Sequence, residues 1–576
     1  MDRYAAALVL DEIGSLLELA GENRFKARAF QAAARALEAA DGDVVRLASE
    51  GRLARLPGLG PATARVAREL LLEDRSRYYD ELRQRTPSGL RELLGVAGLG
   101  PSKIRQLRDA LGIGSLADLE AAVQAGRVAG VRGFGVRTQE RIARGLEFAR
   151  GSSGKRRLAQ VLEAGARVLG HVRSLPQVVT AELAGELRRR LEIVSAVEMV
   201  TAAAPEHCAE VLAALRALPG TRRPGLEQTD EACVQFADGL LLRVACVPRG
   251  QFAARLLFAT GSNAHVEQLQ ARAAARGLTL TAAGLRDTAH ALAVEDEAGI
   301  YAALDLQWVP PELRETGGEV ALAAAGSLPE LVTERDLRGC FHCHTSASDG
   351  TATVAEMAEA ARARGWRYLG IADHSPAAYY AGGLTLAQIE RQHAEIDAWN
   401  AAKGRELWLF KGVEADILTD GTVDLADSGV LERFDYVVAS VHSQFRMPRE
   451  GMTARVLRAL ENPHVTMLGH ATGRLLLQRN GYDLDIAAVI AHAANHGVLI
   501  EINADPFRLD LDWRHWPAAR AAGVRTAINP DAHSPRGLDV VEYGVCMARK
   551  GGLTAADVLN TWPLAAVKRH FTARHN

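Results

Sequence analysis

From residue 340 onward, short apolar runs stop abruptly at histidine or carboxylate. CFHCH carries His342 and His344, with Asp349 just beyond; YLGIADH ends in Asp373-His374, LWLFKGVE in Glu414, and YVVASVH in His442. VTMLGH ends in His470, VLIEIN in Glu501 and Asn503, and RTAINPDAH in Asp531 and His533. Seven apolar strands, each delivering His, Asp or Glu at its C-terminal end, predict a parallel β/α barrel with a polar mouth. His342 and His344 stand two residues apart and are expected on one face of a short strand. Cys343 then points to the opposite face and into the core.

The first third patterns differently. Three units read hydrophobic-x-Gly-hydrophobic-Gly before an amphipathic helix: LPGLGPATARVARELL from Leu56, VAGLGPSKIRQLRDAL from Val96 and VRGFGVRTQERIARGL from Val131. Glycine permits the tight turn and lets backbone N–H groups at a helix N-terminus approach a phosphate with no Cβ in the way. The pattern resembles the helix-hairpin-helix motif, which grips one DNA backbone without reading sequence, and implies that role for Gly58, Gly60, Gly98, Gly100, Gly133 and Gly135, with Lys103, Arg105, Arg137 and Arg141 close behind. GSSGKRR at 151–157 reads as a linker.

Composition changes the picture only a little. At 576 residues, 48 % hydrophobic and 24 % charged, the chain has room for three or four ordinary globular domains. No long uncharged apolar stretch and no basic leader are visible, so a cytoplasmic protein without membrane contact is expected, and a monomer. The six cysteines show no paired spacing and read as reduced thiols. A net charge of −2 offers no global attraction to DNA. Residues 1–150, with 24 Lys+Arg against 20 Asp+Glu, hold the one local surplus of positive charge.

Candidate chemistry concentrates at the other end, where thirteen of the 17 histidines lie from residue 340 onward. Nitrogen and carboxylate donors with almost no thiolate suit Zn²⁺ or Mn²⁺. Nine candidates at the same end of successive strands imply more than one ion. The pattern is that of a multi-metal hydrolase.

The segments FHCHTSASDG, IADHS, KGVEADIL, ASVHS, GHATGRLL, EINADPFRLDL and INPDAHS resemble the polymerase and histidinol phosphatase (PHP) domain, in the form fused to bacterial family X DNA polymerases. The resemblance covers about residues 337–576. It implies a seven-stranded β/α barrel with about three ions, Zn or Mn, held by His342, His344, Asp349, His374, Glu414, His442, His470, Asp531 and His533. Phe341 stands where the family usually has Leu, and Ala471 where it usually has Pro, and neither change removes a ligand. Glu414 is expected to bridge two ions, because a carboxylate can share its two oxygens and an imidazole cannot. Glu414, Asp531 and His533 are the candidate catalytic residues. Arg474 and Arg508 are candidates to hold substrate phosphates, and Lys411 more readily serves a structural salt bridge.

The resemblance extends upstream. ENRFKARAFQAAARALE and the first two hairpins are similar to the lyase-type and fingers regions of family X polymerases, which together with the third hairpin fill residues 1–150. Val66 matches the Schiff-base lysine of the lyase-competent members, so lyase activity is not expected. A palm over 151–260, a thumb over 261–316 and a linker over 317–336 complete the order. The family's palm holds two ions with a D-x-D pair and a third Asp; the matching positions here are Ala196, Glu198 and Arg243. Glu186 replaces the Ser of the triphosphate-binding turn. One carboxylate beside a guanidinium holds two divalent ions poorly, so Mn or Mg at the palm is expected only if polymerase activity survives. That would require Glu182, Glu192 or Asp238 to stand in.

The fold class is therefore multidomain α/β: an all-α helix-hairpin-helix region, an α+β nucleotidyltransferase-like palm and thumb, and a C-terminal PHP barrel. The expected activity is a metal-dependent 3′–5′ exonuclease or phosphoesterase in DNA repair, acting sequence-independently on gapped or 3′-ended duplex. The alternatives are an active Mn-dependent gap-filling polymerase with a proofreading barrel, and a non-catalytic scaffold that binds DNA ends.

Overall fold

A computed structural model of the chain describes residues 3–38, 44–73, 75–94, 96, 99–152, 154–218, 221–224, 231–236 and 239–575. The chain divides into two compact units. The first comprises Met1–Leu187 and Ile193–Ala259 with the short piece Ala282–Gly284; the second comprises Arg188–Glu192, Thr260–Thr281 and Leu285–Asn576.

The first unit opens with helices α1 (Arg3–Leu19), α2 (Arg24–Glu38), α3 (Pro61–Glu73), α4 (Pro101–Leu111) and α5 (Val136–Ser152). Proline at the first helical position starts α3 and α4, where its missing N–H costs nothing. The apolar stripes meet in a core that includes Leu10, Ile13, Leu17, Phe30, Leu70, Ile104, Leu107 and Ile142. Val66 is buried in that core, where the family's lyases carry an amine. Gly58 at φ +93° packs so close to Ala36 that a Cβ would fall 3.0 Å from the Ala36 Cβ. The ends of the expected linker at 151–157 belong to regular elements. Helix α5 runs through Ser152, and Arg156–Arg157 pairs antiparallel with Ile193–Val194.

A five-stranded sheet follows: β1 (Thr180–Ala184), β2 (Ala196–Ala202), β3 (Thr221–Pro224), β4 (Glu231–Phe236) and β5 (Leu241–Val247), in the order β1-β2-β5-β4-β3. The parallel pair β2–β5 lies at its centre and sets Glu198 opposite Arg243.

The second unit contains a small helical region and the barrel. Ser262 caps the helix Asn263–Ala275, whose buried His265 lies between Glu319 and Tyr301, each at 2.7 Å. Glu319 belongs to 317–336, so that expected linker is an ordered element. It carries the helix Gly318–Ala324, buries Val320, Ala323, Leu331 and Val332, and joins Val332 N to Leu553 O at 3.0 Å.

The barrel strands are β6 (Gly339–Cys343), β7 (Tyr368–Ile371), β8 (Trp408–Asp416), β9 (Tyr436–Ser440), β10 (Val465–Leu468), β11 (Leu499–Asn503) and β12 (Thr526–Asn529). All neighbours are parallel and follow chain order. The bridge Cys343–Ala532, with His344 N donating to Ala532 O at 2.8 Å, brings the last strand back to the first. Phe341, Tyr368, Phe410, Tyr436 and Phe571 fill the barrel as one aromatic cluster. Gly412 makes room for it: a Cβ there would fall 2.2 Å from the Tyr436 ring.

One expectation is corrected here. His342 and His344 do not share the face of a regular strand. β6 bulges at His342 (φ +55°), placing Cys340 opposite Leu369 but Cys343 opposite Ile371, and His344 lies just past its end. The extra residue re-aims the backbone where the barrel closes. Among the described residues no helix is long and apolar enough to cross a membrane.

Candidate metal centre

The strand ends bring the nine candidate ligands together as six imidazoles around three carboxylates. Glu414, near the end of β8, is the hub. Its Oε1 faces His342 Nε2 at 3.2 Å, His442 Nε2 at 3.2 Å and His470 Nε2 at 3.0 Å. Its Oε2 faces His374 Nδ1 at 3.0 Å and His344 Nε2 at 3.7 Å. Asp349 gathers His533 at 3.3 Å, His374 at 3.5 Å and His344 at 3.7 Å. Asp531 Oδ1 lies 3.2 Å from His344 Nε2 and 3.7 Å from His342 Nε2. Donor atoms close enough to share an ion form three groups: His344, Asp349, His374 and His533; His342, His344 and Glu414; His374, Glu414 and His442. Glu414 belongs to two of them.

The donors fit metal ions on an observation independent of pattern. His342 Nε2, both nitrogens of His344 and His470 Nδ1 are buried and make no hydrogen bond. Buried polar atoms are almost always satisfied, so four orphans in one cluster call for a ligand that accepts lone pairs. His342, His470 and Asp531 also hold left-handed backbone conformations (φ +55°, +24° and +53°), the kind of strain that collects at functional sites.

Two further carboxylates orient the imidazoles. Glu501, fully buried at the C-terminal half of β11, accepts from His342 Nδ1 at 2.6 Å, and Asp416 accepts from His442 Nδ1 at 2.8 Å. Each leaves Nε2 as the nitrogen that faces Glu414. Asp416 went unnoticed in the sequence, although its place two residues after Glu414 on one strand face was a signal. Asp373, at the end of YLGIADH, accepts from Thr345 N at 2.8 Å and Thr345 Oγ1 at 2.7 Å, which ties down the loop after His344.

The electrostatics match. Burial alone would raise the Glu414 carboxyl, but His342, His442 and His374 outweigh it and hold it well below its usual range. Burial likewise opposes protonation of His442, yet Glu414 and Asp416 push it up to about 10. The cluster thus favours anionic carboxylates facing positive charge.

The cations at the mouth sort differently from expectation. Arg474 is not available to a phosphate, because its guanidinium is spent on Asp512 at 2.6 Å and on the carbonyls of Arg508 (2.9 Å) and Leu509. Lys411 is paired with Asp397 at 2.7 Å. Arg508 alone of the three faces the centre, with Nε 3.9 Å from Asp531 Oδ2.

In the first unit, Ala196 and Glu198 lie two apart on β2, and Arg243 stands beside Glu198 on β5. The guanidinium reaches Glu198 Oε1 at 3.4 Å, and Glu198 leans against Gly185, where an added Cβ would fall 1.6 Å from its Oε2. Glu186 turns inward to accept from Ser195 N at 2.7 Å. Of the stand-ins, Glu182 is paired with Arg173 at 2.7 Å, and Glu192 accepts from Trp513 at 3.0 Å and Arg514 at 2.6 Å. Asp238 lies outside the described residues.

Four of the hairpin glycines are open, while Gly58 is packed against Ala36. A Cβ at Gly60, Gly100, Gly133 or Gly135 would meet nothing within 4 Å, so these turns can lie flat on a ligand. Lys103 follows in the first turn of α4. Gly98 lies outside the described residues.

A parallel barrel lined with His, Asp and Glu behind helix-hairpin-helix turns defines a class, and comparison with known proteins agrees. Family models match over residues 1–76 (helix-hairpin-helix domain), 90–147 (SAM-like helix-hairpin-helix tandem), 255–315 (DNA polymerase beta thumb) and 341–505 (PHP domain). The chain belongs to the family X DNA polymerases that carry a C-terminal PHP domain. It is 34 % identical over 564 residues to the DNA polymerase/3′-5′ exonuclease PolX of Bacillus subtilis (strain 168), covering 97 % of both chains. A probable phosphatase of Thermoanaerobacter sp. (strain X514) is 28 % identical over 237 residues, covering 38 % of this chain and 89 % of that protein. Another, from Caldanaerobacter subterraneus subsp. tengcongensis, is 31 % identical over 209 residues, 33 % of this chain and 74 % of its own.

Proposed function

We propose that this chain is a DNA-repair enzyme whose barrel removes nucleotides or blocking phosphates from 3′ ends, while its palm does not polymerise. The observation that carries the reading is the Glu414 hub, with its converging imidazoles and buried nitrogens in no hydrogen bond. The nine residues named above would hold about three ions, Zn or Mn. Bound divalent ions supply Lewis acidity toward phosphoryl oxygens and make water acidic enough to lose a proton near pH 7.

The chain's own groups supply the rest. Glu414 presents Oε1 to His342, His442 and His470 and Oε2 to His344 and His374, Asp531 closes the side nearest Arg508, and His533, whose side chain is 40 % exposed, stands at the rim where substrate arrives. Arg508 matches a phosphate with its planar fork. Residues 1–150 grip duplex through the open hairpin turns; 151–260 is a palm, 261–316 a thumb and 337–576 the hydrolytic barrel.

Against polymerisation stands the pair Arg243–Glu198: a guanidinium occupies the neighbourhood that two cations would need, with a single carboxylate beside it. The relatives' names divide between polymerase/exonuclease and phosphatase, and hydrolysis of a phosphoester is common to the two. His344→Ala and Asp531→Ala are each expected to abolish shortening of a 5′-labelled gapped duplex while DNA affinity stays within about twofold. Shortening that persists in His344→Ala, in protein free of contaminating nuclease, places the active site elsewhere and overturns the proposal.

A further inference from the structure

The segment after His470 carries another guanidinium, Arg479, and is fastened to the loop that carries Arg508. Leu475 and Arg479 bridge its turn, and the segment is pinned to the loop at 505–510 by Leu476 N to Phe507 O (2.6 Å), Arg474 Nε to Arg508 O (2.9 Å) and Thr472 Oγ1 to Asp510 (2.9 Å). Arg479 and Arg508 therefore ride on two loops locked together. Each loop begins close behind a strand that feeds the metal centre: one directly at His470, the other just past Asn503.

Arg479 is also held in place. Its Nη2 donates to Gly473 O at 2.8 Å, and its guanidinium lies 4.5 Å over the ring of Phe445, three residues beyond His442. Tyr482 stacks on Phe445 at 6.1 Å and 9°, and its hydroxyl donates to Ala471 O at 2.8 Å. An aromatic face beneath the guanidinium fixes its plane and leaves its edge for an acceptor.

What Arg479 lacks is an anion. Arg474 has Asp512, and Lys411 has Asp397. Among the described residues no carboxylate lies within 4 Å of Arg479, and the one within that distance of Arg508 is Asp531, itself a candidate ligand. Burial weakens the hold of Arg479 on its charge, and the nearby Arg508 adds to that. Two partly buried cations beside a centre that takes up cations repel one another and the ions, unless an anionic ligand lies among them. A single phosphate at the centre occupies Arg508. A second anion is needed for Arg479.

We propose that Arg479 grips the phosphodiester next to the scissile one, which falls to Arg508, so that the mouth selects a nucleic-acid strand over a lone phosphoester. This rests on the exonuclease reading above and deepens it. A charge-assisted fork on one backbone phosphate fixes the strand's register without reading its bases.

The test uses the full chain with its metals in place. Arg479→Gln and Arg479→Lys are compared with wild type on a 5′-labelled single-stranded oligonucleotide and on bis(p-nitrophenyl) phosphate, which has no neighbouring phosphate. Arg479→Gln is expected to raise KM for the strand about 10- to 100-fold with kcat within about twofold. The salt slope of binding should fall by about 0.7, the share of one single-strand phosphate contact. Cleavage of the small diester and metal content should not change, and Arg479→Lys should recover part of the loss. Equal loss on both substrates, or loss of metal, would make Arg479 a structural residue and overturn the proposal. So would a wild-type KM and salt slope in Arg479→Gln when the wild type is an active exonuclease. A wild type that cleaves the small diester and leaves the strand intact overturns the exonuclease reading itself.

Discussion

Glu501→Gln reaches the centre without removing any candidate ligand. The Glu501 side chain is fully buried; its Oε2 accepts from His342 Nδ1 at 2.6 Å and from Asn529 Nδ2 at 3.1 Å, and its Oε1 from the backbone N–H of His470 at 3.3 Å. All three partners donate, so the site asks for an acceptor at every lone pair. Glutamine keeps the shape but turns one acceptor into an NH₂ group, which must then face Asn529, His342 or His470 N–H. A charge-assisted bond of about 1.5–3 kcal/mol is weakened, and at least one buried donor is left unmet. Substitutions at carboxylates that orient metal-binding histidines typically weaken metal affinity about 10- to 100-fold. That factor corresponds to about 1.4–2.8 kcal/mol. The assay is competition of Zn²⁺ or Mn²⁺ between a calibrated chelator and metal-stripped protein, with circular dichroism to verify folding. Wild-type affinity in Glu501→Gln, alongside loss of an ion in His342→Ala, would refute the reasoning. It would mean that His342 keeps its tautomer and aim without this carboxylate.

Three other outcomes follow from the same geometry. Deleting residues 1–150 should weaken duplex binding and its salt dependence far more than cleavage of bis(p-nitrophenyl) phosphate, and unchanged affinity for gapped DNA would remove the hairpins from the DNA interface. Primer extension should require Asp at positions 196, 198 and 243 together, because single changes cannot rebuild a two-ion clamp; extension restored by one change alone would contradict that. His265 is kept below its ordinary pKa mainly by burial, so its stabilising contribution is fully present above about pH 6.5 and is lost as pH falls below it. The advantage of wild type over His265→Gln in urea unfolding should therefore shrink on acidification, and a constant difference across that window would count against a neutral buried imidazole.

The convergence of these His, Asp and Glu side chains was legible because a parallel barrel must expose its polar groups where apolar strands end, and that rule needs no coordinates. The bulge at His342 was not legible. GCFHCH alternates like an ordinary strand, and the kink answers to the pairing of β6 with β7 and to closure on Ala532. The arginines show the same limit: in sequence every guanidinium reads alike. Arg474 is consumed by Asp512, 38 residues away, and Arg479 is aimed by Phe445, so only tertiary packing says which one remains for substrate. The resemblance placed a linker at 317–336, yet Glu319 closes on His265, 54 residues upstream. The Glu198–Arg243 juxtaposition was legible as an alignment of motifs, and the parallel register of β2 and β5 puts the two side by side.

The central claim is that catalysis resides in the barrel and not in the palm. It is tested most directly by incubating a 5′-labelled gapped duplex with Mn²⁺, with and without all four dNTPs, using wild type and the barrel-disabled Asp531→Ala variant. Shortening by wild type in both conditions, with neither shortening nor extension by Asp531→Ala, is the predicted result. Template-dependent extension by Asp531→Ala would contradict it and return polymerase activity to a palm in which Arg243 faces Glu198.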